Sequence, residues 1–475
     1  MANLDVLSER YVTEEMNYIF SKVGKILLER EFWLEVMKIQ KEFGVHIPDE
    51  AIRAYEASIN TVDLKRIDKL ELILKHEPMN MIQAWNEAAG LEVGHIHKRM
   101  TSRDLTDNVE FIQILRAGTI IRDKYVSLIR HMKDKAEQYA SLSITGRSHH
   151  QPAQLTTLGK RFAMWMEPIL DAFSAFETWL SQLPFRGIKG PMGTQADMLD
   201  LLGSEDKCQE LDNRLAKQFG FSRIMSATGQ VYPRGIDKQL TYHMLQLAEG
   251  IGNYATTMRL MTGLELVTEG FVEGQVGSSA MPHKMNTSKS ERLAGFIKIL
   301  KMYNVGASLN MGAQWEEGDV ECSLPRRLII PGTFYAMDGL LETSLTTLNL
   351  MGAYPSVVSK EAARYKPFLA STNFLGIAID AGLDREKAHD AIKSVLVGQV
   401  LAYREGRSID YDVVPALASH PLFRSAGITE AAFKKALDGV NSGRAEAQTR
   451  EIIERANKVI AAHHEAAKYE PKNIR

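Results

Sequence analysis

The chain has 475 residues, of which 45% are hydrophobic, with a formal net charge of -2 and an isoelectric point near 6.7. Such a length supports a large buried core and more than one domain. A near-neutral balance gives no basis for general attraction to nucleic acid or to a membrane surface, so an anionic ligand would have to be held by local arginines and lysines. Two cysteines, Cys208 and Cys322, can build neither a disulfide framework nor a thiolate zinc site, and they fit a reducing, cytoplasmic setting. The stretch MANLDVLSERY lacks the apolar centre of a secretion signal. No apolar run reaches the length of about 18 residues that a membrane span needs.

Residues 1–104 read as an N-terminal helical domain. Short helical patterns alternate with breaks, and Pro48-Asp49-Glu50 and Glu77-Pro78 read as helix starts. Thr101 to Asn108, TSRDLTDN, reads as a helix N-terminus capped by Thr101 or Ser102, where free N–H groups favour anions. From 105 to 353 the patterns lengthen into a central domain. Leu155, Leu158, Phe162, Trp165, Ile169, Phe173, Phe176, Leu180 and Leu183 keep a heptad spacing that predicts one long helix, bent at Pro168. Residues 184–237 are rich in glycine and proline and read as a loop-rich excursion. Leu240, Met244, Leu247, Ile251, Tyr254, Met258 and Met261 predict a second long helix, and Ile330, Phe334, Met337, Leu341, Leu345 and Leu348 a third. Narrow stripes of this length predict an all-α bundle, with apolar surface left for burial against other subunits. From 354 to 475 the patterns shorten into a C-terminal helical domain with a polar tail from Lys468.

The most informative stretch is Gly270 to Glu291, GFVEGQVGSSAMPHKMNTSKSE. Gly270, Gly274 and Gly277 free the backbone, and Pro282 interrupts a helix. Ser278, Ser279, His283, Lys284 and Asn286 gather hydroxyl, imidazole, ammonium and amide groups, so the stretch reads as a lid closing over a small anion. A Gly/Ser/Pro loop taken alone is more often a surface linker. In GRSHHQPAQLTTLGK, residues 146–160, the adjacent His149 and His150 cannot share a helix face and should have different jobs. The blander reading is two surface histidines at a helix start. His76 alone reads as a solvated histidine. Arg10-Tyr11 alone reads as a surface pair, although Arg10 has the forked geometry that suits a phosphate. His95 and His97 are two apart with no carboxylate cluster, so no metal site is expected.

The run SSAMPHKMN resembles the signature loop of the fumarase/aspartase superfamily, lyases that eliminate fumarate from a succinyl group. His283 between Pro282 and Lys284 resembles its adenylosuccinate lyase branch. TSRDLTDN and SHHQPAQLTT resemble the other two motifs, and the likeness extends from Arg10 to about Phe368. The resemblance implies a three-domain all-α fold, with bundles associating in a homotetramer whose active sites are shared between subunits. It implies adenylosuccinate and SAICAR as substrates, no cofactor and no metal.

It also implies roles for single residues. His149 is the functional histidine, with Ser148 in place of a threonine. Arg10-Tyr11 grips the nucleotide phosphate. Thr101, Ser102 and the Asp107-Asn108 end of their motif hold substrate groups, and Gln230 lies near the substrate. Ser323 and Arg327 contact phosphate and ribose; Lys284 and Asn286 bind the succinyl carboxylate, and Arg292 serves in binding. The chain departs from the pattern at Lys75-His76-Glu77, where the family has arginine, histidine and aspartate. It departs again at Gly318, where many members place an arginine.

Eliminating fumarate requires a base and an acid on opposite faces of the substrate. Ser278 is the candidate base, its alkoxide stabilised by backbone N–H groups of the Gly277-Ser278-Ser279 turn with Lys284 nearby. His149 is the candidate acid. His76 would orient it or hold a substrate oxygen, and residue types alone leave open which histidine donates the proton. Two rivals stand beside this reading: a lyase of the same superfamily with another succinyl substrate, such as argininosuccinate, and a catalytically silent helical scaffold.

Overall fold

The computed structural model describes residues 5–270, 280–281, 283–472 and 474. Helix α1 (Lys22–Glu42) begins where the Ser21 hydroxyl accepts the Gly24 N–H at 3.0 Å. Helix α2 (Glu77–Ala88) begins at the expected Glu77-Pro78 step, and a further helix, Asp49–Ser58, begins after Pro48. Trp33 of α1 and Trp85 of α2 are buried with ring centroids 6.3 Å apart, which holds the two helices together.

Five long helices form the bundle. They are α3 (Ser102–Gln138), α4 (Leu158–Ser181), α5 (Gly235–Gly263), α6 (Ser288–Asn310) and α7 (Ser323–Leu350). Cross-contacts set their directions. Arg326 meets Glu110 at one end of α3 and α7, and Lys135 reaches the Met351 carbonyl at the other. These two helices therefore run parallel. Arg326 also bonds Asp237, and Thr268 pairs with Gly352, so α5 runs the same way. Helices α4 and α6 return antiparallel. Gly250 of α5 lies so close to α4 that a Cβ there would fall 2.6 Å from the Trp165 carbonyl, so only glycine allows that approach.

The heptad positions of α5 and α7 are all buried, each worth about 1.5–3 kcal/mol against exposure. Helix α7 differs from the narrow stripe expected of it, being buried on nearly every face from Gly332 to Leu348. Most of its buried polar side chains are satisfied inside, although the Thr343 hydroxyl has no partner among the described residues. Thr333, Ser344 and Thr347 donate back to carbonyls four residues earlier, at 2.6–2.7 Å. Asp338 and Glu342 share Lys124 of α3, and Asp338 also accepts the Thr13 N–H at 2.8 Å. Both carboxylates and Lys124 are at most 1% exposed.

Leu155 is not on α4, which corrects the predicted helix. It lies in strand β2 (Gln151–Thr157), paired antiparallel with β1 (Ser143–Ser148). Ser148 pairs with Gln151, leaving His149 and His150 as a two-residue turn with φ of 49° and 61°. Two positive φ values mark a type I′ hairpin, whose twist matches its strands. The blander reading of these histidines as a helix start is thereby excluded. Pro152 sits at a register shift, where its missing N–H costs no ladder bond.

Beyond the bundle, α8 (Pro355–Leu369) packs on the hairpin, where Arg147 is ion-paired with Glu361. Helix α9 (Arg385–Arg404) belongs to a second hydrophobic core around Phe374, Leu417, Phe423 and Phe433. Helix α10 (Ala445–Ala462) returns to lie along α4, with Arg455 on Glu167 and Asp171. Among the described residues no helix is long and apolar enough to cross a membrane.

Candidate active site

The first motif begins α3. Thr101 is its N-cap residue, and the Asp104 carboxylate accepts the Thr101 N–H at 2.8 Å. Asp104 also accepts from Arg186 at 2.7 Å, from the Lys189 N–H at 2.9 Å and from the Gly190 N–H at 3.0 Å. Asn108 exchanges bonds with the Gly187 backbone, and Asp107 faces Arg103, Arg234 and the Tyr232 N–H. Asp107 and Asn108 are fully buried and committed to these partners. In this chain they brace the 186–190 and 229–234 loops. Thr101 and Ser102 stay half-buried. Gln230 is held by its backbone, donating to the Glu317 carbonyl at 2.7 Å and accepting from Arg186 at 2.6 Å. Gly318 has a φ of 153°, and a Cβ there would sit 3.1 Å from Val231, so an arginine side chain would not fit without strain.

Beside this end of α3 lies a cavity of about 180 Å³, lined by Lys25, Glu77, Arg103, Glu110, Ser323 and Arg327 among others. Its charges are paired in a chain. Lys25 meets Glu77 at 2.9 Å and Glu29 at 3.5 Å; Glu77 meets Arg327 at 3.0 Å; Arg326 meets Glu110 at 2.8 Å. Burial works against the Lys25 ammonium, but Glu29 and Glu77 outweigh it and raise its pKa. Burial likewise opposes the Glu77 carboxylate, yet Lys25 and Arg327 hold it below its ordinary value. Glu110 is lowered in the same way: burial is overcome by Arg326 and Arg234. The predicted Ser323 and Arg327 are here. Lys75, in a left-handed cap at φ 50°, and His76 are exposed at the start of α2. Arg103 lies inside TSRDLTDN without an assigned role, Lys25 and Arg326 lie outside the quoted motifs, and sequence reasoning missed all three.

Arg10, Tyr11 and Arg292 do come together. The Arg292 and Arg10 guanidiniums lie 5.2 and 5.8 Å from the Tyr11 ring, and Phe296 meets that ring edge-on at 5.4 Å. The Tyr11 carbonyl abuts Gly339 of α7, twelve residues past Arg327, or about 18 Å along the helix axis.

Ser148 and His149 are exposed at the opposite end of the bundle. Helix α3 separates them from Thr101 and Ser102, and its 37 residues span about 55 Å. Lys284 is exposed and Asn286 half-buried in the segment that leads into α6. Glu269 fastens this segment's base, accepting the Lys289 N–H at 2.9 Å, and the Ser290 N–H and hydroxyl at 3.0 Å each. Nothing in the sequence reading singled out Glu269. Ser278, the candidate base, lies outside the described residues. One chain therefore gathers the sequence-predicted residues into separate groups: Thr101, Ser102, Gln230, Ser323 and Arg327 at one end, Arg10, Tyr11 and Arg292 partway along, and Ser148 and His149 at the other.

This long-helix bundle, with its histidine hairpin at one end and carboxylate-braced motif at the other, belongs to a lyase of the fumarase/aspartase superfamily, as the match to the lyase family shows. The lyase family model matches residues 44–298. In fold, the chain is similar to the 3-carboxy-cis,cis-muconate lactonizing enzyme from Pseudomonas putida, with a TM-score of 0.80 and 16% identity, covering 96% of this chain and 99% of that one. It is also similar to fumarate lyase from Mesorhizobium sp. BNC1, with a TM-score of 0.78 and 17% identity, covering 94% and 99%.

Within that class the chain belongs to the adenylosuccinate lyase family. It is 32% identical over 422 residues to adenylosuccinate lyase of Saccharomyces cerevisiae, covering 88% of this chain and 87% of the yeast protein. It is 27% identical over 391 residues to that of Bacillus subtilis, covering 81% and 87%.

Proposed function

We propose that this protein cleaves adenylosuccinate to AMP and fumarate, and SAICAR to AICAR and fumarate, in purine nucleotide biosynthesis. The observation that carries the reading is identity to adenylosuccinate lyases along 88% of the chain. In the proposed step Ser278 takes the proton beside the succinyl carboxylate, the carbon–carbon double bond forms as the carbon–nitrogen bond breaks, and His149 protonates the leaving nitrogen. His76 orients that histidine or holds a substrate oxygen. Lys284 and Asn286 hold the carboxylate where negative charge builds up. Arg10, Tyr11 and Arg292 bind the phosphate end, with Ser323 and Arg327 on phosphate and ribose. Lys75, Thr101, Ser102, Ser148 and Gln230 complete the substrate contacts.

The same reading makes the enzyme a homotetramer whose subunits share active sites. Two features support it. The two ends of α3 are too far apart to act on one substrate within a chain. Met302, Val305 and Leu309 on α6, with Leu324 and Leu328 on α7, form an apolar surface at least 63% exposed residue by residue. Two buried free cysteines fit work in the cytoplasm.

The test is fumarate release by the purified protein offered adenylosuccinate, argininosuccinate, malate and aspartate in turn. Preference for adenylosuccinate by orders of magnitude is expected, and a folded protein that releases none from it ends the proposal. The ion pair of Glu77 with Arg327 favours the alternative of another succinyl substrate, because it occupies a cation otherwise offered to phosphate. Release from argininosuccinate alone would select that alternative.

A further inference from the structure

We propose that the cavity between the hairpin and the C-terminal helices is a second small-molecule site, which takes an aromatic phosphate of nucleotide size. The cavity encloses about 470 Å³, within the range of formed ligand sites. The hairpin supplies one wall with Arg147 and His150. Helices α8 and α9 supply the other with Arg364, Tyr365, Tyr403 and Arg404. The residues placed above in catalysis, His149 included, do not line it.

The lining is cationic and aromatic together. Arg364 lies 5.4 and 5.1 Å from the rings of Tyr365 and Tyr403, and Arg147 lies 5.5 Å from Tyr365. Tyr411 closes the aromatic side, 4.8 Å from Tyr403 and edge-on to Phe368 at 4.7 Å. Glu361 neutralises Arg147. Among the described residues Arg364 and Arg404 have no carboxylate partner, Arg364 being hydrogen-bonded with Tyr411 instead, and both guanidiniums line the cavity. The buried Nε of Arg147 also has no hydrogen-bond partner among the described residues. Guanidiniums lining one cavity suit a phosphate, and the neighbouring tyrosine rings suit a flat ring. A ligand with both parts satisfies the whole wall. An inorganic anion would leave the rings idle, and a neutral ring would leave the charges unmatched.

The test is calorimetric titration of the full-length protein with AMP, ribose 5-phosphate and adenosine, using the wild type, Arg364→Ala/Arg404→Ala and Arg327→Ala. We expect an AMP binding event that survives Arg327→Ala and weakens about tenfold or more in the double variant. Ribose 5-phosphate and adenosine should each bind that site about tenfold more weakly than AMP. Tyr403→Phe should retain AMP and Tyr403→Ala should lose it. Arg364 and Arg404 are exposed, so the double variant keeps its fold, which a melting curve checks. AMP isotherms identical in the wild type and the double variant overturn the site. Equal affinity for ribose 5-phosphate overturns its aromatic half. Neither outcome depends on whether adenylosuccinate cleavage is observed.

Discussion

Two inactive variants should restore activity to one another when mixed. Arg327→Ala alters the start of α7, and His149→Ala removes an imidazole from the hairpin at the far end of the bundle. The 37 residues of α3 put these ends about 55 Å apart in one chain. A proton donor has to come within about 3 Å of the atom it serves. If both residues act on one substrate, they come from different chains, and each variant alone damages every site. In oligomers assembled at random from equal amounts, about a quarter of sites draw an intact residue from each contributor. The assay is fumarate release after the two variants are dissociated together and reassembled, with distinguishable tags to verify mixed oligomers. Verified mixed oligomers no more active than the average of their parents would refute the reasoning.

Ser278→Ala should lower turnover by about 10²–10⁴-fold with the fold intact, and near-normal turnover would remove the serine from the base role. Lys124→Met leaves Asp338 and Glu342 buried without their cation, so urea unfolding should show a loss of about 3–5 kcal/mol. Leu341→Ala in the fully buried centre of α7 should cost about 2–5 kcal/mol in the same assay. Burial holds the His97 imidazole below its usual 6.5, with Asp104 opposing and His76 adding to the shift, and its Nδ1 accepts the Trp33 indole N–H at 3.0 Å. The neutral ring is favoured in the fold, so its stabilisation is complete above about pH 6.5 and declines as pH falls below it. Thermal melts taken on either side of that pH should show a larger acid-side loss for the wild type than for His97→Gln.

Much of the fold was legible because the heptad seams of α5 and α7 report burial directly, whatever the partner helix. The hairpin was not. Leu155 fits a helical spacing by coincidence, and a His-His turn lacks the asparagine-glycine signal that marks most type I′ turns. The breadth of burial on α7 was also hidden, because Asp338, Glu342 and Ser344 read as a solvated face until Lys124 and a backbone carbonyl are seen to satisfy them. At the site, short motifs could be read and long-range pairings could not. Glu77 meets Arg327 across 250 residues of sequence, and Asp104 meets Arg186 across 82. Pattern cannot foresee such pairs, and they decide which polar groups remain available to a ligand.

The turn at residues 149 and 150 also bears on how the chain can drift. Two successive left-handed residues leave little room for branching at Cβ, so a mutational survey of position 150 should retain asparagine and glycine and discard valine and isoleucine. The neighbouring imidazole would thus inherit its aim from the path of the main chain, and its tolerance to change would be set by torsion angles more than by the side chains around it.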